Sequence, residues 1–375
     1  MKILIVGSGF TGCSFARLLR DEGHQILLIE RNNHIGGLSY TKLSPNGIFY
    51  EPYGARTFHT KIGKVKDFIQ KFSDFNSYVH NKGMIINGKL LHFPVSLETI
   101  KKLDEYPKII KELNDRPEKL DRKNFETCMI SIMGPTLYHL FIKNYTEKMW
   151  GTSANQLTAE WAPKRLEIRE KDSALFKNQW QGLPKYGYTK LFENMVKGIN
   201  LELKREFGLE YRKGFDLILF TGRIDELLHF KYGKLPYRSL RFDYKKNENW
   251  EKDDYGTINL PQDKKYIRKA NFKIMYQQKT DQNWIQYQEP IPSSKKNIPM
   301  YPVNTNKSVE LFDNYLKDAC NSENIIPAGR LGLFKYLDMD KAISLAFDMV
   351  PLIKIWKKIP PSTRYLKIKK ILENY

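Results

Sequence analysis

The sequence predicts an α/β fold interrupted by two inserts, one helical and one built on an antiparallel sheet. Three observations carry this reading. A short apolar run, a glycine-rich turn and an amphipathic stretch follow one another at the N-terminus. A long central region, from about Leu97 to Trp180, keeps helical spacing of its apolar residues. A later region, from about Tyr237 to Trp284, alternates apolar and polar residues as strands do.

The N-terminal elements can be justified one by one. Lys2 to Val6 has the profile of a buried parallel strand. Gly7-Ser8-Gly9-Phe10-Thr11-Gly12 follows at once, and Cys13 to Glu22 reads as a helix with Phe15, Ala16, Leu18 and Leu19 on its apolar face. Gly23-His24 ends that helix, Gln25 to Ile29 forms a second strand, and Glu30 closes it eighteen positions after Gly12. This is the full context of a Rossmann-like dinucleotide site. Gly7 permits the turn, Gly9 lets the backbone approach a pyrophosphate, and Gly12 lets helix and strand pack closely. The helix N-terminus aims free N–H groups and partial positive charge at the phosphates. Glu30 is placed to accept hydrogen bonds from ribose hydroxyls.

Further along, Lys61 to Phe72 reads as a helix, and Met84 to Phe93 reads as a hairpin turning at Asn87-Gly88. Leu217 to Phe220 and Ile325 to Leu331 read as buried strands, and Asp340 to Val350 as a helix. The chain thus divides into a discontinuous α/β domain (residues 1–77, 187–235 and 303–350), a helical domain (95–180), an antiparallel sheet domain (78–94 and 236–302) and a basic C-terminal tail (351–375). Its length of 375 residues suits two or three domains of roughly 150 residues each.

Composition excludes several classes. An apolar fraction of 41% with 13% aromatics is that of a globular chain. No apolar run reaches the roughly 18 residues of a membrane span, and the N-terminal run is too short for a secretory leader. Three widely spaced cysteines, Cys13, Cys128 and Cys320, give no disulfide framework and no zinc spacing, which suits a reducing cytoplasm. The formal charge of +20 points to polyanions in general. The tail from Lys354 to Tyr375, with seven lysines and arginines against Glu373, has the pattern of a basic amphipathic helix. It offers either a solvated face or a contact with an anionic membrane surface.

After Glu30-Arg31, the pair Gly36-Gly37 resembles the continuation found in flavoproteins related to glutathione reductase and the amine oxidases, which implies FAD. An ordered set of motifs then narrows the resemblance. These are Tyr53-Gly54-Ala55-Arg56-Thr57-Phe58-His59-Thr60, Tyr145-Thr146-Glu147-Lys148-Met149-Trp150-Gly151, Gln181-Gly182-Leu183-Pro184, Thr221-Gly222-Arg223-Ile224-Asp225 and Tyr237-Arg238-Ser239-Leu240. Tyr301-Pro302-Val303-Asn304 follows, and Gly329-Arg330-Leu331 with Lys335-Tyr336-Leu337-Asp338-Met339 ends the set. Over roughly residues 1–350 the chain resembles the UDP-galactopyranose mutase family.

The resemblance implies an isomerase in which reduced FAD attacks the anomeric carbon of a nucleotide-diphosphate sugar through flavin N5. The nucleotide leaves, and the sugar recloses as a furanose without net redox change. It assigns the diphosphate to Arg165, Arg268, Tyr301 and Tyr336, with Arg169 as the alternative to Arg165. It places Phe141, Tyr145 and Trp150 along the substrate cleft, and His59 near flavin and sugar. It gives Gly7, Gly9, Gly12, Glu30, Arg31, Gly37, Arg238, Arg330, Asp338 and Met339 to the cofactor. It also implies a cytoplasmic homodimer supplying furanose for surface polysaccharide such as capsule or lipopolysaccharide, with no metal and no nucleic acid. The competing reading of the same N-terminal motif is an FAD-dependent oxidoreductase of the amine-oxidase type.

The chain departs from the family where the sugar is read. Arg56 stands in place of a histidine, Leu175 in place of a tyrosine, and Leu38 in place of an asparagine. Arg56 is therefore a candidate substrate contact. UDP-galactose, UDP-N-acetylgalactosamine, UDP-arabinose and dTDP-fucose all remain open as substrates.

Overall fold

The computed structural model describes the chain except at residues 161, 163–166, 178, 253 and 295 and the side chain of residue 209. Strand β1 (Lys2–Val6), helix α1 (Phe10–Asp21) and strand β2 (Gln25–Glu30) form where the apolar pattern places them. They begin a five-stranded parallel sheet, in the order Ile325–Pro327, Leu217–Phe220, β1, β2, Asn200–Leu203. Ile3, Leu4 and Ile5 are fully buried in it, as residues of a central parallel strand covered on both faces must be. Gly7 has φ +97°, which suits glycine alone, and a Cβ on Gly12 would stand 1.9 Å from the Gly7 carbonyl oxygen. The glycines thus set how close α1 comes to β1.

A second sheet has seven strands, in the order Tyr301–Pro302, Tyr237–Lys246, Trp284–Pro292, Arg268–Asn271, Thr257–Asn259, Lys82–Ile86, Lys89–Phe93. Asn87 (φ 49°) and Gly88 (φ 75°) make the expected hairpin turn. The sheet is mixed rather than wholly antiparallel, because Thr257–Asn259 pairs parallel with Lys82–Ile86. Those two strands come from segments remote in sequence, so no hairpin fixes their direction.

The helical region holds Tyr106–Asn114, Phe125–Leu137, a π-helical stretch Tyr138–Lys143 and Asn144–Trp150. Its core is Phe125, Cys128, Met129, Leu137, Tyr138 and Phe141, all fully buried. The expectation of helix as far as Trp180 does not hold. Among the described residues beyond 156, the chain runs extended from 167: Arg169 N–H donates to the Val95 carbonyl, and Leu97 N–H to the Arg169 carbonyl. The Arg169 side chain secures this path through the carbonyls of Ser173, Ala174 and Leu175. An arginine inside the stretch expected to be helical is here a clamp.

The tail also differs from expectation. Pro361–Leu372 is a helix docked on Asn306–Cys320, with Ile368 and Leu372 buried in the core of the five-stranded sheet domain. Arg364 is 5% exposed and donates to the carbonyls of Trp356, Cys320 and Ser322. The apolar face proposed for a membrane surface thus packs inward, leaving Lys367, Lys369 and Lys370 outside. Among the described residues, no helix is long and apolar enough to cross a membrane.

Candidate active site

Two cavities adjoin at the edge of the parallel sheet. The first, of about 520 Å³, is lined by Gly7, Gly9, Gly12, Glu30, Arg31 and Gly37 at the C-terminal ends of β1 and β2. A Cβ placed on Gly9 would meet nothing within 4 Å, so the backbone there faces open space. Helix α1 starts at Gly9 with neither a side-chain cap nor an acid in its first turn. Its leading N–H groups are therefore free for an anion. These features fit a dinucleotide pyrophosphate.

Glu30 is placed more tightly than its sequence position suggests. Its Oε2 accepts from the Ser8 N–H and hydroxyl, both at 2.9 Å, and its Oε1 from the Asn32 N–H at 2.9 Å and side-chain amide at 2.7 Å. The carboxylate pins the glycine turn to the end of β2 before it meets any ribose.

The second cavity, of about 990 Å³, lies against the seven-stranded sheet. Met84, Asn259, Arg268 and Gln288 sit side by side on adjacent strands and share the face that floors it. Arg268 Nη2 donates to the Tyr145 hydroxyl at 2.6 Å, and its Nε to Asn259 Oδ1 at 3.2 Å. Burial opposes the guanidinium charge, but the phenols of Tyr145, Tyr301 and Tyr336 around it leave its pKa raised. Tyr301 and Tyr336 stack with centroids 5.9 Å apart and planes 11° apart, and Trp150 meets Tyr301 edge-on at 6.3 Å. Arg330 lies 4.7 Å from the Tyr336 ring, with its Nη1 on the Met300 carbonyl at 3.1 Å and its Nη2 on that of Leu337. Phe141 contributes to the wall from the π-helical stretch. The result is a cation ringed by hydroxyl donors, which suits a diphosphate.

His59 stacks on Phe176 at 3.5 Å, and its Nδ1 bonds Gln179 Oε1 at 2.9 Å. His80 also lies against Phe176, with ring centroids 5.7 Å and planes 23° apart. His80 is bonded to Tyr78 (3.0 Å), Thr57 (3.3 Å) and Thr257 (3.3 Å). Burial, then the charges of Lys82, Arg268 and His59, hold its pKa well below the usual imidazole range, so it is neutral at pH 7. Sequence reasoning missed His80, Phe176, Asn259 and Asp340, all of which line this cavity. For His80 a signal existed: residues 80, 82 and 84 alternate along one strand and its approach, and all three face the cavity.

Other expected site residues fall as follows. Asp338 and Met339 begin the helix Met339–Ile355, and Met339 borders both cavities, with the Ser39 hydroxyl 3.7 Å from its sulfur. Arg56 also borders both, but two of its donors go to the carbonyls of Leu38 and Tyr53. Arg238, expected at the cofactor, is not among the residues lining either cavity. Its guanidinium donates to the carbonyls of Met149 (2.9 Å) and Lys148 (3.3 Å), so it holds the end of the helix that carries Tyr145 and Trp150. Arg165 lies outside the described residues. Arg169 is committed to its own loop, with Ser173 Oγ at 2.9 Å and the Ala174 carbonyl at 2.6 Å. Among the described residues no His, Cys, Asp and Glu group could hold a metal ion.

A dinucleotide cavity adjoining an arginine–tyrosine cradle is the site of a dinucleotide-dependent enzyme acting on an anionic substrate. Comparison with known proteins gives the class its family. A family model for UDP-galactopyranose mutase matches residues 140–336, and one for an NAD(P)-binding Rossmann-like domain matches residues 5–72. A probable UDP-galactopyranose mutase of Klebsiella pneumoniae is 32% identical over 92% of each chain. The dTDP-fucopyranose mutase of Escherichia coli is 31% identical over 94% of this chain and 98% of its own. A crystal structure of reduced UDP-galactopyranose mutase superposes with a TM-score of 0.76 at 16% identity, over 97% of this chain and 98% of that one. The chain belongs to the UDP-galactopyranose mutase family: it is a nucleotide-sugar mutase with FAD as its cofactor.

Proposed function

We propose that this enzyme interconverts the pyranose and furanose forms of a nucleotide-diphosphate sugar, either UDP-galactose or a relative whose sugar is changed. The candidate relatives are UDP-N-acetylgalactosamine, UDP-arabinose and dTDP-fucose. The observation that carries the reading is the Arg268 guanidinium, bonded to Tyr145, near Tyr301 and Tyr336, in a cavity that opens onto the dinucleotide site. Support for a changed sugar comes from Arg56, a permanent cation at the border of the two cavities.

The residues divide the work. Arg268 holds the diphosphate by charge and bidentate geometry, and Tyr301 and Tyr336 donate hydroxyls to it. Tyr145 orients Arg268. Trp150 and Phe141 wall the nucleotide end. His59, braced by Gln179 and Phe176, closes the sugar end against water. Gly7, Gly9 and Gly12 would hold the cofactor pyrophosphate, with Arg330 and Met339 lining the part of the same cavity that meets the substrate cavity. Reduced FAD, when bound, supplies the nucleophile that the protein lacks. The protein's own contribution is to fix the leaving diphosphate so that the anomeric carbon faces the cofactor cavity.

The three-domain division of the chain is part of this proposal, supported by separate hydrophobic clusters around the parallel sheet and in the helical region. So are a cytoplasmic location, a homodimer and a role in supplying surface polysaccharide. A membrane contact would rest only on the outward lysines of the C-terminal helix. The test of the sugar is an assay of the dithionite-reduced enzyme against the panel above together with UDP-galactose. The altered-sugar reading expects one of the other sugars to turn over fastest; conversion of UDP-galactose far above the rest would sink it.

A further inference from the structure

Among the described residues, three border both cavities: Arg56, Arg330 and Met339. One end of the cofactor cavity is marked by Glu30, Arg31 and Arg205, where the nucleotide half belongs. A flavin seated in this cavity with its nucleotide half there would direct its reacting ring towards the other end, where the cavities meet. Arg56 stands there, and it is not free to swing away. Its Nη1 donates to the Leu38 carbonyl, its Nη2 to the Tyr53 carbonyl at 2.9 Å, and its backbone N–H to Glu51 Oε2 at 2.7 Å. Leu38 directly follows Gly36-Gly37, and a Cβ on Gly37 would lie 3.2 Å from the Gly9 Cα. The guanidinium is thus tied to the same loop that packs on the dinucleotide turn.

The partners of Arg56 leave its charge standing. Backbone carbonyls orient a guanidinium without neutralising it. Glu51, the buried acid beneath it, has its pKa pushed up to about 8 by burial, against the opposing pull of Arg56, so it is mostly uncharged at pH 7.

We propose that Arg56 is a fixed cation that sets the redox poise of the bound flavin in favour of its reduced form. Reduction adds two electrons and one proton to the oxidised ring and leaves that ring with one negative charge. A cation held beside the ring stabilises the product and not the starting form. For a permanent charge several Å away in a partly buried site, the reduced-to-oxidised ratio at fixed potential should rise about tenfold or more. The proposal rests on the flavin assignment above. A purified protein carrying no flavin would overturn that assignment first, before any potential is measured.

The test uses the purified holoenzyme, equilibrated with a reference dye during dithionite reduction and followed by flavin absorbance. Wild type, Arg56→Gln and Arg56→Lys are compared with free FAD. The reduced-to-oxidised ratio should be higher for wild type than for free FAD, fall about tenfold in Arg56→Gln, and be largely restored in Arg56→Lys. An unchanged ratio in Arg56→Gln, or a loss in Arg56→Lys as large as in Arg56→Gln, would overturn the proposal. If Arg56→Gln sheds its flavin, wild type and Arg56→Lys still decide: a wild-type ratio at or below that of free FAD contradicts it.

Discussion

The Tyr145 hydroxyl accepts a hydrogen bond from Arg268 Nη2 at 2.6 Å, joining a helix of the helical region to a strand of the seven-stranded sheet across the substrate cavity. The bond fixes one side of the guanidinium fork and leaves donors for a ligand. It also means that the placement of the charge proposed to bind the diphosphate depends on how the two regions sit together.

Replacing Arg268 should therefore cost more than one contact. Arg268→Ala should lower kcat/KM by about 10²–10³, the scale of removing a charged donor from a transition-state site. Arg268→Lys should recover only part, because an ammonium cannot reproduce the planar fork. Tyr145→Phe should raise KM more than it lowers kcat, since it loosens the fork without removing the charge. Steady-state kinetics on the reduced enzyme check all three.

Gly12→Ala should abolish flavin loading. The new Cβ would sit 1.9 Å from the Gly7 carbonyl oxygen, and that atom is backbone, so it cannot move without displacing the turn. The ratio of flavin to protein absorbance after purification measures this directly. Gly9→Ala meets no protein atom within 4 Å, so its protein should fold normally and lose only flavin affinity.

Stability should fall as pH rises from about 4.5 to about 8, in part because of Glu51. Burial raises its folded-state pKa from the ordinary 4.5 to about 8. Between those values the folded state keeps a proton that the unfolded state has released, so unfolding becomes easier with rising pH. The contribution is complete below the unfolded value and gone above the folded one. Glu51→Gln should flatten this part of the pH–stability curve, as urea denaturation at a series of pH values would show. A wild-type-like slope in the variant would mean that another group carries it.

Removing residues 351–375 should destabilise the whole parallel-sheet domain rather than trim a free tail. Arg364 is 5% exposed and satisfies three backbone carbonyls. Arg364→Ala should cost about 1–3 kcal/mol through unsatisfied buried acceptors. Thermal unfolding measures it, and a change below a few tenths of a kcal/mol would show that the docked helix is dispensable.

The parts of the molecule legible in sequence are those whose cause is local. The β1–α1–β2 unit follows from alternating apolar runs and three glycines, and the Asn87-Gly88 turn from the φ > 0 demand of a tight hairpin. The parts that were not legible depend on distant partners. Arg238 reads as a ligand contact, but its destination is two carbonyls on a helix far away in sequence. Arg169 falls in a stretch with helical spacing, and nothing local reveals that its side chain goes to the carbonyls of residues 173–175. The tail pattern of apolar and basic residues is the same for a solvated helix and a docked one. The buried Arg364, Trp356, Ile368 and Leu372 separate them. His80 carries no motif, being a lone histidine next to a strand, although its two-residue offset from Lys82 puts it on the cavity face.

The central claim is that the flavin serves this enzyme as a nucleophile and is not consumed. It is tested most directly by counting electrons against product in the anaerobic, dithionite-reduced holoenzyme supplied with its nucleotide sugar. The account predicts many furanose products per flavin with no loss of reducing equivalents, and none when the flavin is oxidised. Product formed one-for-one with reductant, or equal turnover with oxidised flavin, would contradict it.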